Sequence, residues 1–273
     1  MAHIQLNFYS QSMQRNEDVI IFLPTVSADD YLEGSDIHYG TKNAKYQVLY
    51  LLHGSYGDCT DWSRFTGVER YAQDKTLAVV MPSGENSNYL NMAYGENYET
   101  YLTEELPAFL TKIFPISKKR EDTFIAGLSM GGFGSLHSAL KKPELYGYVA
   151  SLSGALDLQL LSNGTEAHTT KMSKSFRKAI FEDSNRITDS DADLLHLLEN
   201  NIADKKELPR IFMACGTEDF IYPTNENFYK KAQEMGVAIE YLRAPGVHNW
   251  DFWDAHIKDV LDWLPCRHDL VIE

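Results

Sequence analysis

Residues 124–132, FIAGLSMGG, decide how this chain of 273 residues folds. The apolar segment 124–126 runs directly into Gly127-Leu128-Ser129-Met130-Gly131, which matches the G-x-S-x-G turn between a strand and a helix. The serine in such a turn has a strained backbone, and the glycines let neighbouring backbone approach without a clash from a Cβ atom. A helical pattern follows to about residue 141, so the Ser129 hydroxyl is expected above a sheet, at the positive end of a helix.

Strand-like and helix-like segments alternate along most of the chain. Short apolar runs predict strands at residues 19–23, 48–52, 77–81, 124–126, 149–152, 211–214 and 237–242. Apolar residues at helical spacing predict helices at residues 97–113 and 250–264, in addition to the one that follows Ser129. This alternation predicts an α/β fold, with a mostly parallel central sheet and helices on both faces.

A polar stretch at about residues 156–208 interrupts this alternation. It is rich in Asp, Ser, Lys and Asn, with short helical patterns at residues 174–181 and 191–199. Because it lies between two buried strands, we interpret it as a small cap insertion over the carboxyl edge of the sheet rather than as an independent domain. Residues 1–273 are then one domain.

Composition and charge exclude several classes of function. Hydrophobic residues make up 44% of the chain and charged residues 23%, which predicts a sizeable core. The net charge of −14 opposes nonspecific binding to nucleic acid and to anionic membranes. No apolar run approaches the roughly 20 residues of a membrane-spanning helix, so no membrane partner is expected.

The amino terminus and the cysteines bear on location. Residues 1–10, MAHIQLNFYS, lack the basic start and the apolar run of a secretory signal. Cys59, Cys215 and Cys266 are odd in number and widely spaced, and they form neither a disulfide framework nor a CxxC zinc pattern. We therefore expect a cytoplasmic protein.

A serine becomes a useful nucleophile only when a neighbouring base removes its proton. In this kind of fold the base follows both the serine and the acid along the chain. His248 fits, because it lies in a Pro/Gly loop between a predicted strand and the last helix. His256 falls within that helix and His268 in the polar tail, where surface positions are expected. The alternative for Ser129 is an idle serine in a glycine-rich turn, and the strand and helix around the motif argue against it.

The acid that orients the histidine has several candidates. The predicted strand 211–214 leads to Glu218 and Asp219 at its carboxyl end. Asp157, after the preceding strand, is a weaker candidate. Spacing alone does not separate Asp219 from Glu218.

An acyl-transfer site also needs donors for the oxyanion. The backbone N–H of Met130, next to the nucleophile, is one expected donor, and the N–H of Ser55 in the loop 53–57, HGSYG, is the other. His53 in this loop is expected to support the turn rather than to bind a metal. No group of His, Asp and Glu has convincing metal-ligand spacing, so neither a metal nor another cofactor is expected.

Four separated motifs together resemble the esterase D family of α/β-hydrolases, nearest to its bacterial tributyrin-esterase-like carboxylesterases. They are LLHGSYG at 51–57 with Trp62 downstream, GLSMGGFG at 127–134, CGTED at 215–219 and PGVHNWDFW at 245–253. The resemblance covers about residues 19–264 and implies the α/β-hydrolase fold. It also identifies Asp219, the last residue of the Gly-Thr-Glu-Asp motif, as the acid.

This resemblance implies a serine carboxylesterase for small-molecule esters, with short acyl groups from acetyl to butyryl. Family alternatives are feruloyl or acetyl-xylan esterases, S-formylglutathione hydrolases and acyltransferases that use the same triad. The formylglutathione hydrolases tend to carry SGLTC where this chain has HGSYG, which favours oxygen esters. Intact Ser129, Asp219 and His248 argue against a non-catalytic binding protein. Homo-oligomers are also consistent with the resemblance.

Aromatic residues near the motifs are candidates for the substrate pocket. They are Trp62 after the oxyanion loop, Tyr89 and Tyr94 in the loop 82–95, and Trp250 after the histidine. The alternative for each is packing in the core, and the sequence does not separate the two.

Overall fold

The computed structural model describes residues 1–26, 28, 32, 43–159, 174–183, 187–267 and 271–272. Its strands are β1 (Ala2–Ser10), β2 (Arg15–Leu23), β3 (Ala44–Lys45), β4 (Val48–Leu52), β5 (Ala78–Pro82), β6 (Thr123–Leu128), β7 (Tyr148–Leu152), β8 (Arg210–Gly216), β9 (Ile239–Ala244) and β10 (Val271–Ile272). Eight of them form one sheet in the order β1-β2-β5-β4-β6-β7-β8-β9, and β3 pairs with β10.

The central sheet is mixed but mostly parallel. Strand β2 pairs antiparallel with β1 and with β5, while every pair from β5 to β9 is parallel. The strands β4, β5 and β6 are buried along their whole length, as expected for parallel strands that are covered on both faces. The predicted mostly parallel sheet is confirmed.

The helices follow the strands along the chain. They are α1 (Asp61–Phe65), α2 (Val68–Gln73), α3 (Tyr98–Thr100), α4 (Leu106–Ile113), α5 (Met130–Lys141), α6 (Lys174–Phe181), α7 (Leu194–Ala203), α8 (Tyr222–Glu234) and α9 (Trp250–Trp263). A π-helical turn, Tyr101–Glu105, joins α3 to α4, so the helix predicted at residues 97–113 is present in three pieces. Pro107 in the first turn of α4 has no N–H to donate to the preceding turn.

The sheet separates two apolar cores. Alternate residues of β4 belong to each, with Tyr50 on one face and Leu51 on the other. Helices α4, α5, α7 and α8 pack on the Tyr50 face, and α1, α2 and α9 pack on the Leu51 face. The helices on both faces agree with the prediction from the sequence.

Six elements were not predicted: β1, β3, β10, α1, α2 and α8. Residues of β1 alternate between half-buried and exposed, because β1 is an edge strand with one face on the protein. The buried positions of α8 include Thr224 and Asn225 beside Phe228 and Ala232, so half of its inner face is polar. A search for apolar periodicity therefore does not detect it.

The parallel strands bring the functional loops together. Their carboxyl ends meet at one edge of the sheet, so the segments after β4, β6, β8 and β9 lie side by side. The predicted insertion falls between β7 and β8, and its described residues include α6 and α7. No helix within the described ranges is long and apolar enough to cross a membrane.

Candidate active site

Ser129 lies at the sharp turn between β6 and α5. Its backbone has φ 52° and ψ −116°, a strained conformation for a residue with a side chain. Two neighbours hold this turn: the Ser129 N–H donates to the Leu152 carbonyl at 2.9 Å, and the Ser129 carbonyl accepts from the Ala155 N–H at 3.0 Å. The strained serine predicted from the motif is present in the structure.

The glycines of the motif permit close backbone packing beneath the serine. A Cβ atom at Gly131 would lie 2.5 Å from the carbonyl oxygens of Leu52 and His53. A Cβ atom at Gly127 would lie 2.4 Å from the Gly131 carbonyl oxygen. Any larger residue at either position would push the nucleophile turn away from the end of β4.

His248 and Asp219 complete a hydrogen-bonded chain with Ser129. The Nε2 atom of His248 lies 2.9 Å from the Ser129 Oγ, and its Nδ1 lies 2.9 Å from the Asp219 Oδ2. A carboxylate only accepts, so Nδ1 carries the hydrogen and Nε2 is free to accept the serine proton. The Asp219 side chain is fully buried, while the His248 side chain keeps 18% of its surface exposed.

Asp219 and Glu218 have opposite surroundings although they are adjacent. Asp219 is buried and also accepts from the Ile221 N–H at 3.1 Å, whereas Glu218 is exposed and accepts from the Gly246 N–H at 2.6 Å. This hydrogen bond from Gly246 lowers the pKa of the Glu218 carboxyl. Glu218 therefore ties the loop after β8 to the loop that carries His248, and Asp219 reaches the imidazole.

The loop after β4 lies against Ser129. A Cβ atom at Gly54 would lie 2.5 Å from the Leu128 Cδ1 and 3.4 Å from the Ser129 Cβ. Within the described residues, neither the Ser55 N–H nor the Met130 N–H donates to a protein acceptor. Two backbone donors beside a nucleophile are what an oxyanion needs. Their assignment to the oxyanion stays a prediction.

His53 supports this loop from within the protein. Its side chain is buried, its Nδ1 lies 2.7 Å from the Gly54 carbonyl oxygen, and its Nε2 accepts from the Gly84 N–H at 2.8 Å. Burial lowers the pKa of the His53 imidazole. No group of three or more metal-ligating side chains occurs in the part of the chain that the structure describes.

The aromatic residues proposed for the pocket have different positions. Trp62 is buried and donates its Nε1–H to the Leu52 carbonyl at 2.9 Å. Tyr89 is also buried, and its hydroxyl donates to the His53 carbonyl at 3.1 Å. Both side chains bond to the backbone at the end of β4 from inside the protein, so these positions do not support their predicted contact with substrate.

Tyr94 and Trp250 are more accessible. The Tyr94 side chain is exposed, its backbone N–H donates to the Ala179 carbonyl at 2.8 Å, and its hydroxyl lies 3.3 Å from the Glu182 Oε1. Trp250 is half-buried and packs edge-on against Trp62, with ring centroids 5.4 Å apart. Contact of either residue with substrate stays a prediction.

Two aromatic rings that pack against the His248 imidazole were not predicted from the sequence. The Phe220 ring lies 4.7 Å from the His248 ring, and the Trp253 ring contacts it edge-on at 4.9 Å. Phe220 is 48% exposed although it follows the buried Asp219. An aromatic residue next to the predicted acid, and another five residues after the histidine, are the signals that could have located them.

A cavity of about 130 Å³ lies between the insertion and α8. Its walls come from residues 156–159, residues 187–195 and the inner face of α8. Leu156 in its lining follows Ala155, the residue that donates to the Ser129 carbonyl. The insertion therefore contributes a wall of this cavity, and none of Ser129, Asp219 and His248 lines it.

Fold and site together define a class, the serine hydrolases with the α/β-hydrolase fold. The chain matches the Esterase family model over residues 10–264. It is 33% identical over 266 residues to an acetyl esterase from Caldicellulosiruptor saccharolyticus, covering 97% of this chain and 98% of the other. The chain belongs to the Esterase family and is a carboxylic ester hydrolase, which confirms the family resemblance found in the motifs.

Solved structures agree with this assignment. Fluorophosphonate-binding serine hydrolase F from Staphylococcus aureus is 32% identical, with a TM-score of 0.86 over 96% of this chain and 98% of the other. An S-formylglutathione hydrolase from the same organism is also 32% identical, with a TM-score of 0.83 at the same coverage. The predicted α/β-hydrolase fold is confirmed.

Proposed function

We propose that the protein is a serine carboxylesterase for short acyl esters, with Ser129 as nucleophile, His248 as general base and Asp219 orienting the base. The hydrogen-bonded chain from Ser129 through His248 to Asp219, with both contacts at 2.9 Å, carries this proposal. It has the geometry that a serine, its base and an orienting acid require.

The reaction proceeds in two acyl transfers. The Ser129 Oγ attacks the ester carbonyl carbon while the His248 Nε2 takes its proton, and the N–H groups of Ser55 and Met130 bind the oxyanion. The intermediate collapses as His248 returns the proton to the leaving alcohol, which leaves an ester on Ser129. Water then attacks this acyl-enzyme, with His248 again taking and returning the proton, and the carboxylic acid is released. Asp219 remains ionised and stabilises the imidazolium.

One observation favours short acyl groups. A relative that matches almost the whole chain, at 33% identity, is an acetyl esterase. We propose that the insertion at 156–208 is a cap that sets this limit.

A second candidate substrate class is the thioesters of formylated thiols. One of the two Staphylococcus aureus relatives at 32% identity is an S-formylglutathione hydrolase, and this favours the second substrate class. The HGSYG loop, which differs from the SGLTC expected in such enzymes, favours oxygen esters. The same triad serves both, because only the leaving atom changes.

A substrate panel tests the proposal. We expect kcat/KM to be highest for p-nitrophenyl acetate or butyrate, and lower for the octanoate, for a feruloyl ester and for S-formylglutathione. Ser129→Ala should abolish turnover of each, while Ser63→Ala, on the surface helix α1, is the matched control. Retained turnover by Ser129→Ala would refute the mechanism, and a preference for octanoate would refute the acyl range alone.

We also propose a cytoplasmic location. Cys59, Cys215 and Cys266 are all unpaired, as expected in a reducing compartment. Fractionation of the native host with an antibody tests this. Light scattering of the purified protein tests whether it forms the homo-oligomer with which the family resemblance is consistent.

A further inference from the structure

The peptide unit between Gly54 and Ser55 needs a fixed orientation if its N–H is to bind an oxyanion. We propose that His53 is a positioning residue that sets this orientation through its hydrogen bond to the Gly54 carbonyl. This inference rests on the proposed function, because it takes the Ser55 N–H to be one of the two oxyanion donors.

The His53 imidazole can make its two bonds in only one form. A carbonyl oxygen only accepts, so Nδ1, 2.7 Å from the Gly54 oxygen, must carry a hydrogen. A backbone N–H only donates, so Nε2, 2.8 Å from the Gly84 nitrogen, must be bare. The imidazole is therefore neutral and has a single tautomer, with its donor aimed at Gly54.

Planarity of the peptide transmits this bond to Ser55. In a trans peptide the C=O of Gly54 and the N–H of Ser55 point in opposite directions from one plane. The bond that holds the Gly54 oxygen on the His53 side therefore holds the Ser55 N–H on the other side. A rotation of this plane would replace the donor by a carbonyl oxygen, which repels an oxyanion.

Glycine at position 54 makes the restraint necessary. A Cβ atom there would lie 2.5 Å from the Leu128 Cδ1 and 3.4 Å from the Ser129 Cβ, so a larger residue would require the Leu128 side chain to shift. Glycine also leaves its own backbone angles the least restricted. Among the described residues, the Gly54 oxygen accepts otherwise only from the Gly57 N–H, at 3.3 Å. The imidazole supplies the shorter of the two bonds.

A second loop anchors the imidazole and its surroundings. This loop, residues 83–89, makes three hydrogen bonds to residues 53–56. The Gly84 N–H donates to the His53 Nε2, and the Tyr89 hydroxyl donates to the His53 carbonyl at 3.1 Å. The Asn86 Oδ1 accepts from the Tyr56 N–H at 2.8 Å. These contacts fix the flanks of the Gly54–Ser55 peptide. Among the residues that the structure describes, only the His53 side chain bonds to the Gly54–Ser55 peptide from outside the turn that the Gly57 N–H closes.

Two substitutions separate the two bonds of the imidazole. His53→Asn places an amide N–H near the position of Nδ1, so it retains a donor for Gly54 and loses the acceptor for Gly84. His53→Gln places an amide oxygen near Nε2, so it retains the acceptor and loses the donor. We expect kcat for p-nitrophenyl acetate to fall by about 10²-fold in His53→Gln, with KM little changed, because a displaced donor acts on the transition state. His53→Asn should recover most of this loss.

Active sites are counted by fluorophosphonate labelling of Ser129, and kcat is calculated per labelled site. KM is measured in the same assay, together with the Ki of a trifluoromethyl ketone that forms an oxyanion on Ser129. The Ki should rise in parallel with the loss of kcat. His137→Asn, the same change at another buried imidazole, is the control for loss of a buried ring and should leave kcat unchanged. Equal kcat per labelled site in wild type and His53→Gln would overturn the proposal, since a purely structural role changes only the number of active molecules.

Ser55→Pro keeps the proposal testable if His53→Gln does not fold. This change removes the N–H itself and should lower kcat by about 10²–10³-fold. If Ser55→Pro retains wild-type kcat while Ser129→Ala is inactive, then the positioning proposal fails and the esterase mechanism stands. If the wild type itself turns over no ester, then the proposed function fails.

Discussion

Acid should destabilise this protein through His137, an imidazole in the middle of α5 that takes no part in the proposed triad. It is fully buried, and its Nε2–H donates to the Asp191 carbonyl at 2.9 Å. Burial lowers the pKa of His137 from its ordinary value of 6.5 to about 4, because a charged ring would lose its hydration. The Glu99 carboxylate lies 3.9 Å away, but burial raises the pKa of Glu99 and so reduces its charge in acid.

The sign and size of the effect follow from the two pKa values. Between pH 6.5 and 4 the unfolded chain binds a proton at His137 that the folded chain excludes, so acidification favours unfolding. Since one pKa unit corresponds to about 1.4 kcal/mol, the full loss of stability is about 3 kcal/mol. Between pH 7 and pH 5 the loss is about 2 kcal/mol, and below pH 4 it levels off.

The contribution of His137 to the free energy of unfolding can be measured by urea unfolding. Wild type and His137→Gln are compared by circular dichroism from pH 7 to pH 5. Glutamine can keep a donor for the Asp191 carbonyl but does not titrate. The difference in unfolding free energy between the two proteins should therefore shrink by about 2 kcal/mol over this range. His3→Gln makes the same change at an exposed position of β1 and is the matched control for the substitution. A difference between wild type and His137→Gln that stays constant from pH 7 to pH 5 would refute the argument.

Three further predictions concern the active site and its turn. Asp219→Asn should lower kcat about 10⁴-fold, whereas Glu218→Gln, at the neighbouring exposed carboxylate, should lower it only slightly; steady-state kinetics compare the two. Gly131→Ala should cost about 3 kcal/mol in urea unfolding because its methyl group meets two carbonyl oxygens. Gly236→Ala, with open space and φ +82°, should cost only about 1 kcal/mol of backbone strain. Trp62→Phe removes the indole N–H that donates to the Leu52 carbonyl, just before the loop with the proposed oxyanion donor. It should lower kcat and leave KM nearly unchanged in steady-state kinetics.

The nucleophile turn could be predicted because its cause is local. The strand, the glycines and the following helix all lie within about twenty residues, and each leaves a pattern in the sequence. His248 could be predicted for a similar reason, from its loop between a strand and a helix. In the structure the His248 Nε2 lies 2.9 Å from the Ser129 Oγ, and the catalytic roles of the two residues stay a prediction.

The choice between Asp219 and Glu218 could not be made from local sequence. Both carboxylates follow the same strand, and they differ in burial and in partners from the loop after β9. Those partners are nearly thirty residues away in sequence, so no short pattern records them. Only the family motif separated the two.

The position of Tyr89 could not be predicted from the sequence for a different reason. It looked like a pocket residue because it lies in a long loop after β5, yet the loop turns inward and places the ring beneath the oxyanion loop. Glu85, Asn88 and Tyr89 all have positive φ, which is what turns the loop. Residues other than glycine rarely adopt this conformation, so the sequence carries no signal for it.

Positive φ at residues other than glycine recurs where the chain leaves the sheet. Tyr56 follows β4, Ser129 follows β6 and Ser153 follows β7, each with a φ between 46° and 68°. Such conformations cost free energy and persist only where surrounding contacts hold them. At Ser129 the contacts are those to Leu152 and Ala155, and Ala155 belongs to the turn that Ser153 begins. The strain at the nucleophile therefore depends on a second strained turn, and relaxing either one should move the Ser129 hydroxyl away from His248.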